Sequence, residues 1–157
     1  MRFPTIEARS LEGESYTLPD DLPPGPRVIL LPFQRWHQIL IEGWRPELER
    51  LSRENPSLTF WEVPALSRAY SAGRFYIDGG MRLGIPDIGI RRHTLTAYTD
   101  LARLVRQLGF SGFEAMHIFL LDADGEIRWH GLGEMDAAQR AELESTLNTL
   151  TGTATAE

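Results

Sequence analysis

The apolar run of residues 28–33 constrains the fold of this chain more than any other feature of its sequence. The run has the length of a strand and contains no charged or polar residue, which is typical of a central strand buried on both faces. It is much shorter than the about 20 apolar residues that span a bilayer. Such a strand must be covered on both sides, so we predict an α/β fold built around it.

The segments before and after this run alternate between strand and helix patterns. The clearest helix pattern follows it, because apolar residues recur at spacings of three and four from Ile41 to Leu51. Pro46 lies within that helix and should kink it. In chain order the patterns predict strands at 5–9, 14–18 and 27–33, a helix at 36–55, a strand at 58–63, a helix at 67–82, a loop at 83–92, a strand at 93–98, a helix capped by Thr99 or Asp100 and closed by Gly109, strands at 116–121 and 126–130, and a final helix that Asp136 and Gln139 begin as a capping box.

This order of elements predicts a mixed sheet flanked by helices on both faces, preceded by an N-terminal β-hairpin. The chain has 157 residues, which fits one domain with a core of its own. We place that single domain at residues 1–150. Residues 151–157 are predicted to be a frayed tail.

Two reactive residue types are missing, since the chain has no cysteine and all sixteen of its basic residues are arginine. Without cysteine there is no thiolate nucleophile, no disulfide exchange and no cysteine-ligated metal. Without lysine there is no Schiff base and no lysine-bearing phosphate loop. Thiol-disulfide oxidoreductase activity and cysteine-dependent peroxidase activity are therefore excluded.

The net charge and the N-terminal sequence bear on partners and location. A formal charge of −6 argues against nucleic acid as a partner. Residues 68–93 nevertheless carry five arginines against two aspartates, whereas residues 122–157 carry eight acids against two arginines. Pro4 and Glu7 lie where a secretory peptide needs an apolar stretch. We therefore expect a bacterial cytoplasmic protein without a transmembrane segment.

The region after the central strand resembles a known superfamily. Phe33 with Trp36 and His37, followed by residues 45–51, is similar to the strand, active-site turn and first helix of the thioredoxin superfamily, in particular its peroxiredoxin and thiol-disulfide reductase branch. The resemblance extends from residue 3 to residue 150. It implies a thioredoxin-like fold with an N-terminal hairpin.

The same resemblance implies that the redox centre has been lost. Counting back from Pro46, the two cysteines of the superfamily would fall at Gln38 and Ile41. Residues 116–128 resemble the hairpin that follows the superfamily's cis-proline, and Met116 takes the place of that proline. None of these residues can form or resolve a disulfide.

A narrower resemblance concerns Ile127, Arg128 and Trp129 with Gly131 and Gly133. Together with residues 119–125, Ile85, Pro86, Arg91, Arg92 and Thr94, these are similar to the mitochondrial ATP synthase assembly factor family, whose members are thioredoxin-like without a redox role. This resemblance implies a chaperone-like binding activity.

We predict a partner-binding groove formed by the turn after the central strand, the loop at 83–92 and Met116. Trp36 and Ile39 fall off the buried stripe of the predicted helix, and exposed apolar residues on a loop favour a partner site. The partner is predicted to be a protein or peptide, with no cofactor. The candidate binding residues are Trp36, His37, Gln38, Ile39, Ile41, Arg82, Pro86, Arg91, Arg92 and Met116.

The arginines of this set have two interpretations. Arg82, Arg91 and Arg92 could clamp a carboxylate or a phosphate, since the guanidinium group makes bidentate contacts. They could equally pair at the surface with acids such as Asp78 and Asp87, where ion pairs are common and contribute little.

Two other functions stay open. His37 or His117 could act with Asp87 or Glu114 as the acid-base pair of a cysteine-independent enzyme on a small anionic substrate. The chain could also be a structural subunit, for example a homodimer that pairs through a sheet edge or Trp61.

We predict no metal site. The four histidines match no ligand spacing, and although His117 and His130 could lie opposite each other in the hairpin, two imidazoles alone make a weak site. Residues 122–125 form a turn, because Gly133 stands at the twelfth position, where a calcium loop needs a glutamate.

Overall fold

Two four-stranded mixed sheets and three helices make up the computed structural model, which describes residues 1–67 and 93–152. A short 3-10 turn at Arg35–His37 precedes the first helix. The strands are β1 (Ile6–Ser10), β2 (Ser15–Leu18), β3 (Arg27–Leu31), β4 (Thr59–Glu62), β5 (Ala65–Ser67), β6 (Leu95–Thr99), β7 (His117–Leu121) and β8 (Ile127–Leu132), and the helices are α1 (Gln38–Glu54), α2 (Leu101–Leu108) and α3 (Ala137–Thr151).

The central sheet has the order β4-β3-β7-β8, with β3 and β4 parallel and the other pairs antiparallel. The second sheet has the order β2-β1-β6-β5 and contains the N-terminal hairpin. The two sheets approach each other where Glu62 forms an isolated bridge with Thr94. The predicted class, a mixed α/β fold with an N-terminal hairpin, is confirmed.

Strand β3 is buried along its whole length, as its apolar run predicts. Alternate side chains point to opposite faces of the sheet. Val28 and Leu30 pack against α1 and α3, whereas Ile29 and Leu31 belong to the cluster that includes α2 and the second sheet. Helices therefore cover both faces of the central sheet.

The predicted helix stripe is confirmed, since the apolar residues of α1 from Ile41 to Leu51 are buried. Helix α2 begins at the predicted cap, where the Asp100 side chain accepts a hydrogen bond from the Arg103 amide at 3.1 Å. It ends at Gly109, whose φ of 80° is in the left-handed region that favours glycine.

Some boundaries differ from the predictions. The first helix starts as a 3-10 turn, and β5, a three-residue strand, occupies residues where no strand was expected. Apart from Ser67, which ends β5, the predicted helix at 67–82 and the whole predicted loop at 83–92 lie outside the described residues. Within the described part of the chain, no helix is long and apolar enough to cross a membrane.

Candidate functional site

The turn between β3 and α1 brings the predicted site residues to one end of the central sheet. Gln38 is the first residue of α1 and is exposed to solvent, whereas Ile41, one turn further on, is 1% exposed and packs in the core. Both residues thus lie in the first turn of the helix that follows the central strand. The Ile41 side chain belongs to the core and is not available to a ligand.

His37 ties this turn to a distant loop. Its Nδ1 accepts hydrogen bonds from the backbone amides of Phe33 at 3.0 Å and Gln34 at 3.2 Å. An Nδ1 that accepts must be unprotonated, so Nε2 carries the hydrogen and donates it to the Glu114 carbonyl at 2.9 Å. The ring is fully buried, and both of its nitrogens are used in binding the backbone. The role of His37 is therefore to hold the turn in place.

Gln34 makes a second link between the same two segments. Its side-chain amide donates to the Phe113 carbonyl at 3.1 Å. The Phe33 ring packs against the ring of Phe113 with centroids 5.5 Å apart. Gln34 was not among the predicted site residues, and nothing in the local sequence pattern points to a contact 79 residues away.

Trp36 and Ile39 form the exposed part of the site. Their side chains are 56% and 72% exposed, respectively, and Gln38 lies between them in sequence. The Trp36 ring rests edge-on against the ring of His37 at a centroid distance of 4.5 Å. We call Trp36, Gln38 and Ile39 the entry surface, because they lie where the chain enters α1.

Met116 lies in the same buried cluster as Ile41. Its side chain is fully buried in the cluster that α1 and α3 share, and its carbonyl accepts a hydrogen bond from the Gly133 amide at 2.9 Å. The peptide bond before it is trans, since within the described residues the cis bond is the one between Leu18 and Pro19. Met116 therefore cannot line a groove with its side chain. The other predicted binding residues, Arg82, Pro86, Arg91 and Arg92, lie outside the described part of the chain.

His117 and His130 form a hydrogen-bonded pair on the hairpin of β7 and β8. His117 Nδ1 lies 2.7 Å from His130 Nε2, although the register pairs His130 with Phe119, so the two histidines are diagonal neighbours. The ring of Phe110 stacks on His117 at 3.4 Å. Burial, with smaller contributions from His130 and His37, lowers the pKa of His117 to about 4. Burial also lowers the pKa of His130.

These contacts do not form an acid-base pair. Neither His37 nor His117 lies within 4 Å of a carboxylate oxygen in residues 1–67 and 93–152, and Asp87 is outside those ranges. No group of three or more potential metal ligands occurs in the same residues. The described residues thus offer no observation in favour of the enzymatic alternative.

Sequence reasoning missed a buried ion pair beside this region. Glu62, at the end of β4, is 3% exposed and its carboxylate binds the Arg45 guanidinium at 2.5 Å. Burial raises the pKa of Glu62, and the hydrogen bond from Arg45 opposes that shift. A carboxylate at the end of an apolar strand was the available signal, but only the structure shows that α1 supplies its partner.

The chain is similar in structure to solved thioredoxin-like proteins. The thioredoxin domain of a thiol-disulfide oxidoreductase from Bacteroides vulgatus is 17% identical, with a TM-score of 0.60 over 94% of this chain and 96% of that one. A thiol:disulfide interchange protein from Bacteroides sp. is 17% identical, with a TM-score of 0.62 over 94% and 88%. The exposed lipoprotein thioredoxin of Streptococcus pneumoniae is 15% identical, with a TM-score of 0.60 over 94% and 100%. No protein-family model and no curated protein sequence matches the chain.

The architecture and these likenesses define the class by fold: the molecule has a thioredoxin-like fold. This particular chain is a cysteine-free form of it, with Gln38 and Ile41 in the first turn of the helix after the central strand. It cannot carry out the thiol-disulfide chemistry that the names of the Bacteroides proteins describe. The resemblance to ATP synthase assembly factors stays a prediction.

Proposed function

We propose that this chain is a non-redox thioredoxin-fold protein that binds a peptide or protein partner through its entry surface, in the manner of an assembly factor or chaperone. The exposure of Trp36 and Ile39 carries the proposal. Of the four large apolar side chains that are exposed in the described residues, these two lie within four positions of each other. Covering such side chains stabilises a complex by about 25 cal/mol per Å² of apolar area, and tryptophan is enriched at binding hot spots.

The rigidity of the turn supports this function. The side chains of His37 and Gln34 hold the segment before α1 by donating hydrogen bonds to the carbonyls of Glu114 and Phe113. A surface that is already fixed loses little conformational entropy when a partner binds. The Trp36 ring contacts the buried His37 ring, which restricts it on one side.

The electrostatics of α1 suggest which partner groups fit. The helix has no side-chain cap at His37 and no acidic residue in its first turn. The Gln38 amide is already bound by carbonyls of the preceding 3-10 turn, so what α1 offers here is the positive end of its dipole, which no carboxylate of its first turn offsets and which would favour a carbonyl or carboxylate of the partner. An apolar side chain next to such an acceptor is the chemistry that the entry surface fits.

The remaining parts of the proposal rest on the sequence. Arg82, Arg91 and Arg92, with Pro86, would add an anion-binding element, as their residue types indicate. The resemblance to assembly factors suggests a client from a larger assembly, and we expect the chain to act in the cytoplasm. We do not extend the proposal to a homodimer through Trp61, because this side chain is largely buried.

The absence of cysteine allows a direct test by site-specific crosslinking. In a Gln38→Cys variant the introduced thiol is unique and can carry a benzophenone maleimide. Gln107→Cys, on the exposed face of α2, gives a matched control. Irradiation in extract of the native host should crosslink the probe at residue 38 to a defined set of partners, and the probe at residue 107 should not give that set.

A second pair of variants tests the side chains themselves. Trp36→Ala combined with Ile39→Asp should abolish the crosslink at residue 38, whereas Leu132→Asp, which changes another exposed apolar residue, should leave it intact. The proposal is wrong if the double variant keeps the same partners as the original chain, or if residues 38 and 107 yield the same set.

A further inference from the structure

Three of the four outer edges of the two sheets are closed by local contacts. An edge strand normally presents unpaired N–H and C=O groups, which can pair with a strand of another chain. Four strands, β2, β4, β5 and β8, lie at a sheet edge in the described part of the chain, and the contacts of three of them, β2, β4 and β8, bear on this point. In each of these three strands, backbone groups that point away from the sheet are bound by a residue that is not in a strand.

Strand β8 shows this most clearly. The Leu132 amide donates to Gln139 Oε1 at 2.7 Å, and the Leu132 carbonyl accepts from Gln139 Nε2 at 2.9 Å. Leu132 thus donates one hydrogen bond and accepts another, which is the pair of bonds that an antiparallel neighbouring strand would provide. The same Nε2 also donates to the Glu134 carbonyl at 3.0 Å. The side-chain amide of α3 thus takes the place of a neighbouring strand.

This use of Gln139 explains why the predicted capping box is incomplete. The Asp136 side chain accepts from the Gln139 amide at 2.8 Å, which is the expected first half. The reciprocal bond from the Gln139 side chain is missing, because that side chain is turned toward Leu132. Helix stability alone would favour the box, so the edge contact is the alternative that the fold adopts.

Two of the other edges have equivalent contacts. At β2, the Thr17 amide donates to the Asp21 carboxylate at 2.7 Å, and the Asp21 amide donates to the Thr17 carbonyl at 2.9 Å. At β4, the Glu62 amide donates to the His93 carbonyl at 2.6 Å, and His93 Nδ1 donates to the Phe60 carbonyl at 2.8 Å. At each of these edges the strand donates one hydrogen bond and accepts one.

We propose that Gln139 prevents a second copy of this chain from pairing with β8. This strand has six residues and is the longest of the described strands. Since backbone direction alternates along a strand, the outward groups of His130 point the same way as those of Leu132, and the bulge opposite Leu120 and Leu121 ends this alternation before Arg128. An antiparallel pair of two β8 strands is symmetric about a two-fold axis, so one edge suffices to build a closed dimer. The Ile127 amide, at the other end, is bound by the Met1 carbonyl at 2.8 Å.

The test is the oligomeric state of the full chain and of three variants. Gln139→Leu removes both bonds to Leu132 and keeps the side-chain size. Gln139→Glu keeps the acceptor for the Leu132 amide and adds a charge at the edge. Gln107→Leu is the matched control, because it makes the same replacement at an exposed position of α2. Mass is measured by sedimentation equilibrium over a hundredfold range of concentration, and amide exchange at Leu132 is followed in parallel.

The original chain, Gln139→Glu and Gln107→Leu should keep the mass of one chain at every concentration. Gln139→Leu should approach twice that mass, and its Leu132 amide should exchange faster than in the original chain at low concentration and become protected again at high concentration. The inference is overturned if Gln139→Leu, folded by circular dichroism, remains a single chain throughout. It is also overturned if the original chain is itself a dimer in which β8 is protected.

Discussion

The buried His117, which is hydrogen-bonded to the more exposed His130, makes the stability of this fold depend on pH in a calculable way. The pKa of His117 is about 4 in the folded chain, against about 6.5 for an unperturbed histidine. The folded chain therefore keeps this ring neutral at pH values where the unfolded chain protonates it. Its contribution to stability is complete above pH 6.5 and is lost as the pH falls from 6.5 toward 4.

The magnitude follows from these two values. Between pH 7.5 and pH 5 the unfolded state gains about 2 kcal/mol relative to the folded state from this one group, since one pKa unit corresponds to about 1.4 kcal/mol. His130, whose pKa is also lowered, adds in the same direction. The raised pKa of Glu62 acts in the opposite direction, because the folded chain then binds the proton more readily.

A comparison with His117→Phe isolates the effect of His117. Phenylalanine keeps a ring in the stack with Phe110 and removes the titrating nitrogens. Urea unfolding followed by tryptophan fluorescence should show that the original chain loses about 2 kcal/mol more than His117→Phe between pH 7.5 and pH 5. Contributions from other groups, such as Glu62, cancel in this difference. Phe110→Leu is the control, since it loosens the stack but leaves both histidines, and it should keep most of the pH dependence.

One result would refute this reasoning. If the original chain and His117→Phe lose the same free energy of unfolding between these pH values, His117 is not held neutral by burial. A nuclear magnetic resonance titration of the His117 ring gives an independent check, because its midpoint should lie near pH 4.

Three further predictions concern the site and its surroundings. Combining Gln38→Cys with Ile41→Cys should allow an intramolecular disulfide. Because position 38 lies at a helix N-terminus, its thiol should be alkylated at lower pH than the thiol of Gln107→Cys, and equal alkylation profiles would contradict this. His37→Asn keeps an acceptor for the Phe33 and Gln34 amides but leaves the Glu114 carbonyl without its donor. Urea unfolding should therefore show a free energy of unfolding lower by about 1–3 kcal/mol, and an unchanged midpoint would contradict the role of His37. Glu62→Leu should lower the free energy of unfolding by about 3–5 kcal/mol because it leaves Arg45 unpaired, and adding Arg45→Met should recover most of that loss. A double variant no more stable than Glu62→Leu would contradict the ion pair.

The central strand, α1 and α2 could be predicted because their signals are local. A run of apolar residues or a repeat of three and four residues is visible within one element, and it requires no knowledge of what the element packs against. The same holds for the cap at Asp100 and the helix end at Gly109, which depend on residues at most four positions away.

The candidate site could be predicted only in part. The entry surface follows from the position of Trp36 and Ile39 off the buried stripe of α1. The burial of His37 could not be predicted, because its hydrogen bond to Glu114 joins residues 77 positions apart. The sequence places His37 beside an exposed tryptophan and so suggests a surface residue, because it does not show that the segment containing Glu114 covers the ring.

The hairpin shows the limit of sequence patterns even for neighbouring strands. The chain predicts that His117 and His130 lie in facing strands, but the register with its bulge at Leu120 and Leu121 makes them diagonal partners. A shift in register of one or two residues changes which side chains meet without changing the apolar pattern of either strand. The rings of Phe110 and Phe119 stack against this pair in the structure.

The amino-acid sequence by itself determined the α/β class, the central strand and the absence of thiol chemistry, since these depend on local patterns and on which residue types are present. The tertiary structure decided which polar groups meet. The bonds of His37 with Glu114, Arg45 with Glu62 and Gln139 with Leu132 join different elements of the chain. Such bonds form only when packing brings their partners within about 3 Å, and a one-dimensional pattern does not contain that distance.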